Sequence, residues 1–159
     1  MSLSDRVIVM KNGKIRQMGP PDQIYEHPDS RFVAGFVGKA AFFPVDIASQ
    51  DNGLWTCKLG DRTVKVADAA PDIAKNSKGV LMARPESLRL VDKGQGHLDG
   101  RVRMNVYLGN SLESFIHTQF GEVLVQIDDP HSKRIRKEGE EVSIEFPPDR
   151  VRILGESED

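Results

Sequence analysis

The most reactive side chains in this 159-residue sequence are a single cysteine, Cys57, and four histidines, at positions 27, 97, 117 and 131. The histidines lie in four separate segments, so their spacing defines neither a metal site nor a catalytic pair. Cys57 beside one of them would make a nucleophile and its base, but no motif places a histidine there. The phosphate-binding pattern GxxxxGK(S/T) and the catalytic patterns HExxH and GxSxG are absent from the sequence. We therefore predict no catalytic centre, cofactor site or metal site in this chain.

Two charged segments are candidates for contacts with a partner. The run HSKRIRK, residues 131–137, could contact phosphates or an acidic partner, but the acidic residues of EGEE at 138–141 nearly cancel its charge. A solvated loop is the favoured interpretation of this run. In the second segment, an apolar strand runs into Arg84, Pro85 and Glu86, and Pro85 ends the strand or places it at an edge because proline cannot donate to a sheet. Arg84 and Glu86 could then face a partner or pair with each other.

The elements that must position these residues differ between the two parts of the chain. In residues 6–38, the strand-like RVIVM and KIRQMG flank Asn12-Gly13, a strong signal for a β-hairpin turn. Pro21 suits the first turn of a short helix, and Ser30 is a suitable N-cap for a second helix, RFVAGFV. This part is predicted to be a hairpin followed by two short helices.

From residue 39 onwards the hydrophobic period changes to two. RVRMNVYL, residues 101–108, places Val102, Met104, Val106 and Leu108 on one face, and EVLVQI, EVSIEF and RVRIL alternate similarly. Roughly seven or eight such strands, separated by glycine-containing turns, predict an antiparallel barrel or sandwich. Two segments, GLWTCKLGDRTVKVA and ESFIHTQFGEVLVQI, share a strand–turn–strand pattern, which suggests two related small barrels in tandem.

The overall composition excludes several classes of function. The formal net charge is −2, which argues against a protein that binds nucleic acid or anionic membranes through bulk charge. One cysteine permits no intrachain disulfide. No apolar run approaches the roughly 18 to 20 residues of a membrane span, and no signal peptide opens the sequence.

A series of residues in the first part of the chain follows a recognisable order. Its members are Asp5, Arg6, Met10, Gly13, Ile15, Gly19, Pro21, Ile24, Tyr25, Pro28, Phe32, Val33, Ala34, Phe36 and Gly38. In residue type and spacing this order resembles the end of the nucleotide-binding domain in ATP-binding subunits of ABC importers. Residues 39–156, with FFP at 42–44, RPE at 84–86 and YLG at 107–109, resemble the TOBE regulatory region that follows it in many importers. We therefore assign residues 1–38 to a remnant of the nucleotide-binding domain and residues 39–156 to a TOBE domain of two OB-like barrels.

The resemblance implies a mainly β fold and a non-catalytic, regulatory role. ATP and Mg²⁺ would be bound by parts of the family's catalytic domain whose motifs are absent here, so no ATP turnover is expected of this chain. Val7, Ile8, Val9 and Ile15 are expected to lie against the remainder of that domain. The implied partners are a second copy of the chain in a homodimer, permease subunits, and a small solute or a regulatory protein. The implied location is cytoplasmic, at the inner face of the membrane, and the implied transported solute is a polyamine or ferric iron.

Two other functions stay open at this point. Some related barrels bind oxyanions or metabolites between protomers, and a ligand sensor of that kind would use Arg84, Arg101, Arg103, Asn110 and Ser111 as donors. A nucleic-acid-binding OB-fold module is suggested by fold analogy alone.

Overall fold

The protein is described by a computed structural model that covers residues 5–71 and 73–157. Residues 1–4, 72, 158 and 159 lie outside the described residues. The described chain is mainly β, with two short α-helices and antiparallel sheets, as the sequence predicts.

The N-terminal part is a β-hairpin followed by two helices. Strands β1 (Val7–Lys11) and β2 (Lys14–Gly19) pair across a turn in which Asn12 and Gly13 both have positive φ, 52° and 77°. Helix α1 (Pro21–Glu26) has proline in its first turn, and helix α2 (Arg31–Val37) begins after Ser30. The Ser30 hydroxyl accepts a hydrogen bond from the Val33 amide at 3.2 Å, so the predicted N-cap is confirmed.

This hairpin–helix unit has a small apolar core of its own. Val9, Ile24 and Val33 are fully buried together, and Val7 packs against them. The prediction that Val9 lies against the remainder of a nucleotide-binding domain is therefore wrong, because α1 and α2 cover it. Ile8 and Ile15 are 52% and 56% exposed, so their predicted contact with the remainder of that domain stays a prediction.

In the described part of the chain, ten further strands form two five-stranded antiparallel sheets. The first sheet has the order β12-β6-β3-β4-β5, with strands β3 (Ala41–Asp51), β4 (Leu54–Leu59), β5 (Arg62–Val66), β6 (Lys78–Ala83) and β12 (Val151–Leu154). The second sheet has the order β10-β9-β8-β11-β7, with β7 (Arg89–Asp92), β8 (Leu98–Tyr107), β9 (Ser111–Thr118), β10 (Gly121–Asp128) and β11 (Glu141–Glu145). Strand β12, the last in the chain, pairs with β6 in the first sheet, so the sheets are not built from consecutive halves of the sequence.

The two sheets share one hydrophobic core. Its buried residues come from both sheets, and the Phe43 ring on β3 lies 5.2 Å from the Phe146 ring that follows β11 and 6.1 Å from the Phe120 ring. Such edge-to-face contacts between aromatic rings stabilise a core beyond the area they bury. The region of the two sheets is therefore expected to unfold as one cooperative unit.

The predicted apolar face of β8 is only partly correct. The pairing of β8 with β9 has a register shift between Val102 and Met104, which is a β-bulge. A bulge turns the following residues out of the two-residue alternation. Val102 is accordingly buried, whereas Leu108, predicted on the same face, is 54% exposed.

Arg62 and Asp99 form an ion pair that joins the two sheets. Arg62 at the start of β5 donates two hydrogen bonds to the Asp99 carboxylate on β8, at 2.9 and 2.7 Å. These bonds are the main cause that lowers the pKa of Asp99 to about 2. Because the folded pKa lies below the unfolded value of about 3.9, Asp99 favours the folded state at neutral pH. That contribution should be lost as the pH falls from about 4 to about 2.

The measurement is the free energy of unfolding by urea for the native protein and for Asp99→Asn between pH 7 and pH 2. The difference between the two proteins should be constant above about pH 5 and should shrink below about pH 4. A difference that does not change with pH would contradict this role of Asp99.

Candidate functional site

The six residues predicted as ligand or interface groups lie in three separate places. Arg84 and Glu86 lie at the end of β6 and in the 3₁₀ turn that follows it. Arg101 and Arg103 lie on β8, where they pair with Glu141 and Glu122. The remaining two, Asn110 and Ser111, lie at the turn from β8 to β9. The ligand roles of all six residues stay predictions. Arg84 and Glu86, however, both form hydrogen bonds with residues of the hairpin–helix unit.

Arg84 is the central side chain of a joint between the hairpin–helix unit and the two sheets. It is 4% exposed, and its guanidinium lies over the Tyr25 ring at 4.2 Å. Its Nη1 donates to the carbonyl oxygens of Ala34 and Lys39, both at 2.9 Å, and its Nη2 donates to the carbonyl oxygen of Tyr25 at 3.0 Å. One arginine thus binds main-chain carbonyl groups at α1, at α2 and just before β3.

Burial lowers the pKa of the Arg84 guanidinium, while Tyr25 and Glu86 act in the opposite direction. An arginine remains charged in proteins even so, since its ordinary pKa is above 12. The site therefore holds a buried positive charge whose partners are mainly backbone dipoles. The sequence predicted that Arg84 faces a partner or pairs with Glu86. In the structure Arg84 instead donates its hydrogen bonds to the N-terminal part of its own chain.

Glu86 reaches the same joint through Tyr25. The Tyr25 hydroxyl donates a short hydrogen bond to Glu86 Oε2. Burial, followed by this hydrogen bond, raises the pKa of Tyr25 to about 12. Tyr25 therefore keeps its proton at any physiological pH and remains a donor to the carboxylate.

Arg152 on β12 is the second buried arginine of the joint, and sequence reasoning missed it. Its Nε donates to the Pro28 carbonyl oxygen at 2.7 Å, and its Nη1 donates to Asp68 Oδ1 at 2.7 Å. The other oxygen of Asp68 lies 2.7 Å from His27 Nδ1, and Asp29 accepts from Arg152 at 3.4 Å. An arginine between two apolar residues of a strand ordinarily marks a solvent-exposed face. Here the hairpin–helix unit covers that face.

A cavity of about 420 Å³ opens at the joint. Tyr25, Arg84, Glu86, Asp149 and Arg152 contribute to its lining, so charges of both signs meet there. Among residues 5–71 and 73–157, no group of three or more His, Cys, Asp or Glu side chains could hold a metal ion. The arrangement can bind polar groups and fix two parts of the chain together.

Comparison with known proteins defines the class of this domain. Residues 81–154 match the TOBE domain family. The structure also resembles that of the cytoplasmic molybdate-binding protein ModG, with a TM-score of 0.55 over 70% of this chain and 92% of that one. Because the two sequences are only 13% identical, this likeness establishes the fold alone. The predicted OB-type, antiparallel fold is thereby confirmed.

Comparison of the sequence with curated proteins identifies relatives among the ATP-binding subunits of importers. The chain is 35% identical over 156 residues to the spermidine/putrescine import ATP-binding protein PotA of Ruegeria pomeroyi, covering 97% of this chain and 42% of that protein. It is 31% identical over 154 residues to the Fe(3+) ions import ATP-binding protein FbpC of Agrobacterium fabrum, with the same two coverages. The chain contains a TOBE domain and aligns with the C-terminal part, about 40%, of ATP-binding subunits of ABC importers. It spans about two-fifths of the length of the relatives it matches.

The helices of the described residues are too short to cross a membrane: none combines the necessary length with the necessary apolar character.

Proposed function

We propose that this chain is the regulatory part of an ATP-binding subunit that drives import of a small solute. The observation that carries the proposal is the alignment of 97% of the chain with importer ATP-binding subunits. Residues 5–38, which resemble the end of a nucleotide-binding domain, are attached to the sheets by Arg84 and Arg152. Through this joint the sheets would follow movements of the catalytic domain during its ATP cycle.

The chain itself is proposed to be non-catalytic. Phosphoryl transfer needs a phosphate cradle, a metal site and a positioned water. The sequence contains no phosphate-binding loop of the GxxxxGK(S/T) type. ATP and Mg²⁺ would accordingly be bound by another part of the whole subunit.

The proposed partners are permease subunits at the inner face of the cytoplasmic membrane, where the subunit would be peripheral. A regulatory protein is a further proposed partner, and nucleic acid is not. The names of the relatives favour a polyamine or ferric iron as the transported solute. The sheets could in addition sense that solute or a regulatory ligand. Two of the predicted ligand donors, Arg101 and Arg103, pair with Glu141 and Glu122. These pairs give ligand sensing by the two arginines less support than the regulatory role.

The function is tested by deleting the gene that encodes this chain and measuring uptake of radiolabelled spermidine, putrescine and ferric iron. We expect uptake of one solute class to fall to the background of a strain that lacks the transporter, and to return with the intact gene. Unchanged uptake of all three solutes would contradict the proposed transport class.

We further propose that the chain forms a homodimer. Ile8, Met10 and Ile15 on the hairpin, and Tyr107 and Leu108 at the end of β8, expose large apolar surfaces that association would cover. Light scattering of the purified chain should give about twice its 17.7 kDa mass at micromolar concentration. A mass of one chain across that range would count against the dimer.

A further inference from the structure

A second cavity, of about 360 Å³, lies between the two edge strands of the second sheet. Strands β7 and β10 stand at opposite ends of the sheet order, so no ladder of hydrogen bonds joins them. The cavity is lined by Leu88, Arg89 and Leu90 on one side and by Gln126, Ile127 and Asp128 on the other. The opening between the edge strands therefore forms a recess in the side of the molecule.

The inner part of this recess is apolar. Leu88 is 4% exposed and belongs to the shared core, and Leu90 and Ile127 pack against that core. A ligand with an apolar body would cover these side chains and gain free energy from the area removed from water. Small-molecule sites in proteins typically have volumes of about 300–1,000 Å³. The volume of this recess, about 360 Å³, falls at the lower end of that range.

The rim of the recess carries the basic run singled out in the sequence. Lys133, Arg134 and Arg136 all line the cavity. Asp92 accepts from Arg136 at 2.5 Å and from Arg134 at 3.1 Å, so one carboxylate holds both guanidinium groups in place. Glu140 lies within 3.5 Å of both arginines as well. The two arginines are therefore positioned before any ligand arrives.

Two other cations at the recess are less engaged. Lys133 Nζ donates to the main-chain oxygen of Asp128 at 2.6 Å, which occupies one of its three N–H groups. Arg89 Nη1 lies 3.8 Å from Glu145, beyond hydrogen-bond distance, and its side chain is 68% exposed. The two carboxylates of the lining, Glu86 and Asp128, each accept one hydrogen bond, from Tyr25 and Gln126. The lining contains four cationic side chains, so its positive charges outnumber these carboxylates and favour an anion.

We propose that this recess is a binding site for a small organic anion, with its apolar body on Leu88, Leu90 and Ile127 and its carboxylate or phosphate at Arg89 and Lys133. Lys and Arg side chains form charge-assisted hydrogen bonds with such groups, and an apolar wall strengthens them by excluding water. The site is separate from the joint at Arg84, with Glu86 as the lining residue that both cavities share. Its existence does not depend on which solute the transporter moves.

The test is an NMR titration of the ¹⁵N-labelled 159-residue chain with four probes. Phenyl phosphate combines an aromatic body with an anion, inorganic phosphate has the charge alone, benzyl alcohol has the body alone, and benzylamine has the opposite charge. We expect saturable shifts from phenyl phosphate at the amides of residues 88–90, 126–128 and 133–136. Inorganic phosphate and benzyl alcohol should bind more weakly, and benzylamine should not bind there.

Variants separate a specific site from general attraction to a basic surface. Arg89→Gln and Lys133→Gln should each weaken phenyl phosphate about tenfold, the effect of losing one charge-assisted hydrogen bond. Lys58→Gln makes the same charge change on the exposed face of β4 in the other sheet and should leave the affinity unchanged. The absence of saturable shifts, equal shifts with benzylamine, or equal weakening by Lys58→Gln would each overturn the proposal.

Discussion

Replacing Arg84 with methionine is expected to lower the free energy of unfolding by about 3 kcal/mol, because several buried carbonyl groups lose their hydrogen-bond donor. The substitution removes three hydrogen bonds to carbonyl groups of the hairpin–helix unit and the contact with the Tyr25 ring. Urea denaturation of the two proteins at neutral pH measures the change. Hydrogen exchange should show a matching local effect, with the amides of residues 21–38 exchanging faster than those of the sheets.

Two control variants separate the joint from a simple loss of charge. Arg84→Lys keeps the charge, but a single ammonium group cannot reproduce the planar guanidinium that reaches three carbonyl groups, so it should restore only part of the stability. Arg103→Met removes an arginine whose side chain is 50% exposed on β8 and should change stability very little. Equal effects of Arg84→Met and Arg103→Met would show that the joint is not held by Arg84.

The Phe43→Ala variant is expected to lose about 3–5 kcal/mol, the usual cost of truncating a fully buried phenylalanine. Phe43 is 1% exposed and contacts the rings of Phe120 and Phe146, so its removal leaves a cavity at the centre of the shared core. Because β3 and the segment after β11 meet at this point, both sheets should lose stability together. Thermal unfolding followed by circular dichroism and by Trp55 fluorescence should give one coincident transition at a lower temperature.

The number of transitions is the informative part of this experiment. Trp55 lies on β4 of the first sheet, whereas circular dichroism reports on both sheets. Two separated transitions in Phe43→Ala, with Trp55 reporting only the first, would show that the sheets fold independently despite their common core. Phe36→Ala serves as the control, because Phe36 is 66% exposed and its removal opens no cavity in the shared core.

The regulatory function proposed for the chain depends on the joint more than on any single cavity. Arg84 follows the end of β6, and Arg152 on the neighbouring strand β12 pairs with Met82 of β6, so both arginines attach the hairpin–helix unit at the same end of this strand pair. Separating a buried arginine from its backbone partners costs free energy, because several hydrogen bonds must break together. The hairpin–helix unit and the sheets should therefore move as one piece when the remainder of an ATP-binding subunit changes conformation.

The sequence determined the local features of this protein. The Asn12-Gly13 turn, the proline in the first turn of α1 and the Ser30 cap each depend on the conformational preferences of a few adjacent residues, and all three occur as predicted. The alternating pattern likewise identified the antiparallel strands, because one face of each strand must be apolar to enter a core. Residue order and spacing over 5–38 also indicated the importer family to which the relatives belong.

Only the tertiary structure decided which distant segments cover each strand. The sequence predicts Val151 and Ile153 as inward-facing residues of β12, but it does not show that the hairpin–helix unit covers the other face and buries Arg152 there. The tertiary structure also decided three other features: the partners of Arg84, the return of β12 to the first sheet, and the bulge that exposes Leu108. Each depends on contacts between residues far apart in the chain, and an alternation of apolar and polar residues carries no information about which segment supplies those contacts.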